Sequence, residues 1–226
     1  MPKTLALIHT TKLFLTSDPI FQQLCSELLP DVQIINILDD SLLPHCMAEQ
    51  RVTPALTRRM CSYVVAAEMA GADAVLSLCS SLGPTIDVAR KMVSIPVIKI
   101  DDAHTEKAVC EARRIGVLAT VASTLGPTVA LIHEKAELHR KEVEVEEILV
   151  ENAFEALTAG NRETHDALLL EAAARLAPKV DLLLFAQASM TRLAAAAHEA
   201  TGLPVLTSPR PAIEYVRRVL NEGVRR

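Results

Sequence analysis

The sequence contains very few aromatic residues: they make up 3% of its 226 residues, and tryptophan is absent. The core must therefore be built from Ala, Leu, Val and Ile, a set that suits helices packed on a parallel sheet with apolar, buried strands. The net charge is only −5, and no Lys/Arg cluster is interleaved with aromatic residues. A role in binding nucleic acid therefore has little support.

The chain also lacks several other signals. Its first apolar stretch is short and ends at His9, so neither a signal peptide nor a membrane span is expected. The five cysteines are odd in number and scattered without a CxxC spacing, which favours a reducing, cytoplasmic location over a disulfide framework. No HExxH, GxGxxG or P-loop pattern is present, so no metal and no nucleotide cofactor are expected.

Short apolar runs alternate with segments of helical periodicity, which predicts βαβ units and an α/β fold with mainly parallel sheets and helices on both faces. Asp18 is the expected N-cap of the first long helix, and Gly71 is the expected C-cap of the helix before the third strand. The predicted strands are Leu5–His9, Val32–Leu38, Ala74–Leu78 and Ile95–Ile100, and the predicted helices are Pro19–Leu29, Thr53–Ala70 and Pro84–Val93.

The same pattern restarts near Ile115, which indicates an internal duplication. The segment ADAVLSLCSS (72–81) matches VDLLLFAQAS (180–189) at a constant offset of 108 residues, so that Cys79 falls on Gln187. The offset persists in the next strand, where Pro96 falls on Pro204. We therefore predict two pseudosymmetric α/β halves, 1–104 and 105–210, and a terminal helix over 211–226 that packs back on the first half.

Small polar residues follow four of the predicted strands. Ligands of open parallel sheets bind beyond the carboxyl ends of the strands, and free backbone N–H groups at helix starts favour an anion such as a carboxylate. We therefore expect a cleft between the halves that is lined by these four turns. Their candidate residues are His9, Thr10 and Thr11; Cys79, Ser80 and Ser81; Thr120, Ser123 and Thr124; and Gln187 and Ser189.

Cys79 is the strongest catalytic candidate because it ends an apolar strand and precedes a helix that begins near Pro84. A thiol at a helix N-terminus is expected to have a lowered pKa and to act as a nucleophile or base. The alternative, a small buried hydrophobic residue, is the interpretation we favour for the other cysteines. These are Cys25, Cys46, Cys61 and Cys110.

The other candidates have structural alternatives. The serines and threonines of the turns could simply cap helices, and His9 could be either a ligand contact or a satisfied surface histidine. Asp101, Asp102 and His104 follow a strand and could act as acid/base groups, although an N-cap for the following helix is the simpler interpretation.

The turn LSLCSSLGP, the segment GVLATVASTLGPT and the second turn LLLFAQASM resemble the aspartate/glutamate/hydantoin racemase superfamily over almost the whole chain. The resemblance implies a cofactor-free reaction in which one cysteine from each half flanks the α-carbon of the substrate. Cys79 matches the first cysteine. The substrate-binding residues that we expect from the resemblance and from the turns are His9, Thr10, Ser80, Ser81, Thr120, Ser123, Thr124, Ala188 and Ser189.

The chain departs from the superfamily at the second cysteine, where it has Gln187. Glutamine can hydrogen-bond a substrate but cannot exchange a proton near pH 7. The sequence therefore predicts a cysteine-dependent enzyme of the racemase/isomerase type acting on a small carboxylate such as an amino acid or a hydantoin. A single-cysteine decarboxylase or lyase and a non-catalytic carboxylate-binding protein are the alternatives. A homodimer or higher homo-oligomer is expected, since closed symmetric assemblies are the commonest.

Overall fold

A computed structural model describes residues 2–222 and divides the chain into two compact units. The first unit comprises the residues up to Asp102 and those from Pro209 onward, and the second comprises 103–208. The elements of the first part are β1 (Thr4–His9), α1 (Leu13–Thr16), α2 (Ile20–Leu28), β2 (Gln33–Leu38), α3 (Leu42–Glu49), α4 (Pro54–Met69), β3 (Ala74–Ser77), α5 (Gly83–Ala89) and β4 (Val97–Lys99). They are followed by α6 (Asp102–Glu111), β5 (Arg114–Ala119), α7 (Ala122–His139), β6 (Glu144–Leu149), α8 (Ala153–Thr158), α9 (Arg162–Leu176), β7 (Leu182–Phe185), α10 (Ala194–Thr201), β8 (Val205–Leu206) and α11 (Pro209–Glu222).

The first unit is built on a four-stranded sheet of order β2-β1-β3-β4, in which every pair is parallel. β1 is buried along its whole length, which explains why its sequence is an apolar run and not an alternating pattern. Ala6 and Ile8 of β1 pack on one face with Met60 of α4. α11 contacts α2, β3 and β4, and Arg210 forms an ion pair with Glu27 of α2 at 2.7 Å.

The second unit repeats this topology, with strand order β6-β5-β7-β8 and parallel pairing throughout. Its core consists of two apolar clusters on the two faces of the sheet. Phe185 and Leu169 belong to one cluster, and Val117 and Ile132 belong to the other. The two units therefore have the same sheet order and the same α/β layering.

One aspartate has an equivalent role in the two units. Asp73 Oδ2 accepts a hydrogen bond from the backbone N–H of Thr4 at 2.8 Å. Asp181 Oδ2 accepts one from the backbone N–H of Arg114 at 2.9 Å. Each carboxylate thus joins the turn before one strand to the start of the neighbouring strand, which is a structural reason for the aspartates that the two halves share.

Side-chain hydrogen bonds and a glycine with positive φ mark the ends of several helices. Thr53 Oγ1 accepts from the backbone N–H of Leu56 at 3.3 Å and caps α4, and Gly71 ends it with φ +87°. The expected cap of α2 was wrong by one residue: Pro19 occupies the N-cap position, while Asp18 Oδ1 accepts from the backbone N–H of Ile20 at 3.3 Å.

Several predicted boundaries also differ from the structure. Helix α5 ends at Ala89 and not at Val93, and β4 is limited to Val97–Lys99. The terminal helix begins at Pro209, two residues before the predicted start, and its predicted end, 223–226, lies outside the described residues. Over residues 2–222, no helix is both long enough and apolar enough to span a membrane.

Gly116 allows close packing inside the second unit, and this gives a stability prediction. A Cβ atom at Gly116 would lie 3.1 Å from Leu183 Cδ2 and 3.1 Å from Val180 Cγ2. We expect Gly116→Ala to lower the free energy of unfolding by about 1–3 kcal/mol, because the packed core must shift. Gly126, in α7, is the matched control: a Cβ there meets nothing within 4 Å, and alanine should stabilise by about 0.5–1 kcal/mol. Urea titrations measure both changes, and similar losses in the two variants would contradict the prediction.

Candidate active site

Cys79 lies just beyond the carboxyl end of β3, one of the two central strands of the first sheet. β3 ends at Ser77, and Cys79 immediately precedes a short 3₁₀ turn over Ser80–Leu82 that leads into α5. The Cys79 thiol is buried, and its sulfur is hydrogen-bonded by the Thr10 side chain and by the backbone N–H of Leu82. The structure thus brings two of the predicted strand-end residues, Thr10 and Cys79, into direct contact.

The pKa of Cys79 differs from the expectation. Burial raises the pKa of its thiol to about 11, and this effect outweighs the hydrogen bonds from Thr10 and Leu82, which lower it. The expected lowered pKa is therefore wrong, because a short helix start does not compensate for the loss of water around the sulfur. Near neutral pH the side chain is a thiol, which is a proton donor.

Asp101 follows β4 and is almost completely buried, with 3% of its surface exposed. Ser80 Oγ donates a hydrogen bond to Asp101 Oδ1 at 2.9 Å. Burial raises the pKa of Asp101 to about 7, the nearby Asp102 raises it further, and the Ser80 hydrogen bond and Lys99 lower it. This carboxyl group therefore changes its protonation state near neutral pH.

Asp102 has a different environment, although it adjoins Asp101 in the chain. Its carboxylate accepts hydrogen bonds from Arg90 Nη2 at 2.5 Å and from the backbone N–H of Lys99 at 2.9 Å. It is also the acidic residue of the first turn of α6. Asp102 is therefore the first residue of α6 and is held by Arg90 and Lys99, whereas Asp101 directly precedes the helix. An acid/base role for Asp101 stays a prediction.

His9 is completely buried at the end of β1. Its Nε2 atom lies 2.9 Å from Asn36 Oδ1 on the neighbouring strand β2. Burial lowers the pKa of His9, and the hydrogen bond to Asn36 raises it less, so the ring is neutral at pH 7. No motif pointed to Asn36 as a partner of His9, because the register between β1 and β2 decides which residues become neighbours. A direct contact of His9 with a substrate remains a prediction.

In the second unit, the structure brings together Thr120 and Gln187, which were predicted on two separate turns. Gln187 Oε1 accepts hydrogen bonds from the backbone N–H of Thr120 at 2.6 Å and from its hydroxyl at 3.2 Å. Gln187 Nε2 also lies 2.9 Å from Thr120 Oγ1 and can donate to it. The amide therefore holds the end of β5 against the end of β7.

Ser81 is almost fully buried in the 3₁₀ turn Ser80–Leu82 of the first unit. Four further candidates lie at helix starts in the second unit. Ser123 and Thr124 belong to the first turn of α7, and Thr124 is almost fully buried. Ala188 and Ser189 begin the 3₁₀ segment that follows Gln187. These positions suit the binding of an anion through backbone N–H groups, and their contact with a substrate remains a prediction.

A charged cluster fixes the segment that follows Gln187. Arg192, in the 3₁₀ segment, pairs with Asp166 near the start of α9. Asp166 Oδ1 also lies 2.8 Å from Nδ1 of the fully buried His165. Hydrogen bonding from Arg192 lowers the pKa of Asp166. No motif in the sequence marks this cluster, because Arg192 is 26 residues away from Asp166 in the chain.

Among residues 2–222, no group of three or more His, Cys, Asp and Glu side chains is arranged to hold a metal ion. The candidate residues described above offer a thiol, a carboxyl group with a pKa of about 7, hydroxyl groups and a hydrogen-bonded amide.

Solved structures share this fold over almost the whole chain. Allantoin racemase from Klebsiella pneumoniae is 16% identical with a TM-score of 0.69, and the match covers 98% of this chain and 89% of that one. Glutamate racemase from Francisella tularensis, solved with D-glutamate, is 14% identical with a TM-score of 0.74, and the match covers 98% and 82%. A glycine-to-cysteine mutant of arylmalonate decarboxylase, in its sulfate-associated form, is 17% identical with a TM-score of 0.61, and the match covers 98% and 94%.

Comparison with curated protein sequences gives no significant match. The family model for Asp/Glu/hydantoin racemases, in contrast, matches residues 19–216. That range includes Cys79, Asp101, Thr120 and Gln187. With a two-unit parallel α/β fold and a match over most of its length, the chain belongs to the Asp/Glu/hydantoin racemase family.

Proposed function

We propose that the chain is a cofactor-independent enzyme of the racemase/isomerase type that uses Cys79 to transfer a proton at the α-carbon of a small carboxylate. The observation that carries the proposal is the environment of Cys79. It is a buried thiol at a strand end, fixed by Thr10 and by the backbone N–H of Leu82, in a member of a racemase family. Amino acids, hydantoins and related acids are the substrate class.

The thiol has the proton affinity that the chemistry needs. A thiol with a pKa of about 11 holds its proton at neutral pH, yet it is far more acidic than a C–H bond next to a carboxylate. It can therefore protonate an enolate-like carbon, and its thiolate can remove the proton in the reverse direction. The hydroxyl groups and backbone N–H groups at the strand ends would stabilise the negative charge that develops on the substrate carboxylate.

A single-cysteine lyase or decarboxylase is the second candidate, and Gln187 favours it. The second unit has an amide where the repeat predicts a thiol, and that amide is hydrogen-bonded to Thr120. An enzyme with one thiol delivers a proton to one face of the carbanion, which suits a reaction that ends with a single handedness. The arylmalonate decarboxylase with the same fold is consistent with this candidate.

Deuterium exchange distinguishes the two reactions. The purified chain is incubated in D₂O with separate enantiomers of aspartate, glutamate, allantoin and a simple hydantoin, and α-deuterium and optical rotation are followed over time. Racemisation predicts deuterium in both enantiomers. A parallel assay with substituted malonates measures CO₂, and release of CO₂ with a product of one handedness supports the lyase.

A non-catalytic carboxylate-binding protein is the outcome if neither assay detects turnover. In that case calorimetric titration with the same carboxylates should still detect binding. Absence of turnover across these substrates would contradict the proposed enzymatic function, and absence of binding as well would exclude the carboxylate-binding alternative.

A further inference from the structure

We propose that Asp101 is the proton-exchange partner of Cys79 and returns a proton to the sulfur after Cys79 has protonated the substrate. This proposal rests on the proposed function for its place in a catalytic cycle. The pairing of the two groups rests on the geometry of the first unit alone.

Strand register places the two residues side by side. β3 and β4 are parallel, with Ser77 paired to Lys99, and the backbone N–H of Ile100 donates to the carbonyl of Ser77 at 3.0 Å. Cys79 and Asp101 each lie two residues beyond this last pair, where the two strands have ended, so the parallel register directs both residues to the same edge of the sheet. Both side chains are buried, and the charge of Asp101 raises the pKa of Cys79.

Ser80 fixes the carboxyl group in this position. Its hydroxyl donates to Asp101 Oδ1 at 2.9 Å, and Ser80 directly follows Cys79 in the chain. The thiol and the hydroxyl that holds the carboxyl group therefore move as one segment. This connection of one residue keeps the Cys79 thiol close to the Asp101 carboxyl group.

The internal repeat supports a joint role for the three residues. At the constant offset of 108, Cys79, Ser80 and Asp101 fall on Gln187, Ala188 and Pro209. All three differ between the two copies of the repeat, although the structure places Pro209 at the start of α11 in the first unit. The structural residues of the same segments are retained: Asp73 falls on Asp181 and Pro96 on Pro204. The repeated fold therefore does not need Asp101, and the half with the thiol is the half with the carboxyl group.

The proton transfer balances within this pair. When Cys79 protonates the substrate carbanion, its S–H bond breaks and a C–H bond forms, which leaves a thiolate. The O–H bond of the Asp101 carboxylic acid then breaks, the S–H bond forms again, and the carboxylate takes a proton from solvent. The direction is favourable because the thiol has a pKa of about 11 and the carboxyl group one of about 7.

The other charged groups around Asp101 are tied to partners. Lys99 on β4 lies 2.7 Å from Asp87 on α5. Asp102 on α6 pairs at 2.5 Å with Arg90, which directly follows α5. Cys46 on α3 also raises the pKa of Cys79. Among these groups, Asp101 is the one whose pKa is raised into the neutral range, to about 7.

A nuclear magnetic resonance titration of the full chain, labelled with ¹³Cβ-cysteine, tests the pair between pH 5 and 9. The Cys79 signal, assigned with Cys79→Ser, should show a step with a midpoint near 7 that reports the ionisation of Asp101. Asp101→Asn should abolish that step, and Asp101→Glu should restore it. Cys25 is the internal control: its pKa is about 11 through burial alone, so its signal should show no step and should confirm that each variant is folded.

In the exchange assay, the wild-type rate should fall above pH 7, because Asp101 loses its proton there. Asp101→Asn should lose roughly tenfold in rate at pH 6.5 and should not show that fall. A Cys79 titration that is the same in the wild type and in Asp101→Asn would overturn the pairing. A wild type with the expected titration but no turnover on any substrate would overturn the proposed function and leave the proton-exchanging pair in place, so the two failures are distinguishable.

Discussion

Replacing Cys79 by serine should lower the rate of α-deuterium exchange by about 10²–10⁴-fold, the range over which a positioned acid/base group accelerates a reaction. Serine keeps a polar atom that Thr10 and the backbone N–H of Leu82 can hydrogen-bond, so the turn should retain its conformation. A hydroxyl group, however, is a far weaker acid than a thiol and cannot supply the proton at a useful rate. The rate is measured by mass spectrometry on a substrate that the wild type accepts.

Cys25→Ser is the matched control for this variant. Cys25 is also buried, its pKa is also raised to about 11, and it lies in α2, away from the strand ends. Its replacement should lower stability without changing the exchange rate by more than about threefold, because no proposed step involves it. Residual exchange in Cys79→Ser within threefold of the wild type would show that another group transfers the proton.

Cys79 and Cys25 both have a pKa of about 11, which burial raises in each case. If burial alone made a cysteine catalytic, the two variants would behave alike. Cys79 differs in having Thr10, Leu82 and Asp101 around its sulfur, whereas burial is the only cause of the shift at Cys25. A selective loss in Cys79→Ser therefore attributes the chemistry to the strand-end environment.

The strands and their order follow closely from the sequence, because buried parallel strands are apolar runs of limited length. β1 and β5 show this well: each is an apolar run followed at once by a polar turn. The family, too, is evident from the turn around Cys79. Helix ends are less predictable, as Asp18 illustrates, since several polar residues near a terminus compete to cap it.

The protonation of the site was not predictable from motifs. The position of Cys79 before a helix argued for a lowered pKa, but the sequence does not show how deeply a thiol is buried. Burial raises the pKa of Cys79 and also that of Asp101. The pairing of Ser80 with Asp101 depends on the register between β3 and β4, and the contact between Thr120 and Gln187 depends on that between β5 and β7.

Gln187→Cys is expected to change the stereochemistry of exchange. The repeat equates Gln187 with Cys79, so cysteine at 187 gives the second unit the proton-transferring group that it lacks. If the wild type delivers deuterium to one enantiomer, this variant should raise the rate for the opposite enantiomer by roughly tenfold or more, as expected for an added acid/base group. Chiral chromatography of the product formed in D₂O measures the two rates separately.

The same substitution also has a structural cost. Gln187 Oε1 accepts from the backbone N–H of Thr120 at 2.6 Å, and cysteine is too short to preserve that bond. Loss of one partner of a partly buried hydrogen bond should lower the free energy of unfolding by about 1–2 kcal/mol. Gln187→Ser is the control, because serine is equally short and carries no thiol.

The pair of variants separates chemistry from structure. Both should lose similar stability in urea titrations, and both should lose some activity toward the original enantiomer. The gain for the opposite enantiomer should occur in Gln187→Cys alone. An equal gain in Gln187→Ser would mean that loss of the hydrogen bond to Thr120 is enough to raise the rate for the opposite enantiomer. No gain in either variant would show that position 187 does not deliver protons. A gain confined to the cysteine variant would indicate that the missing thiol, and not the fold, limits the wild type to one face of the substrate.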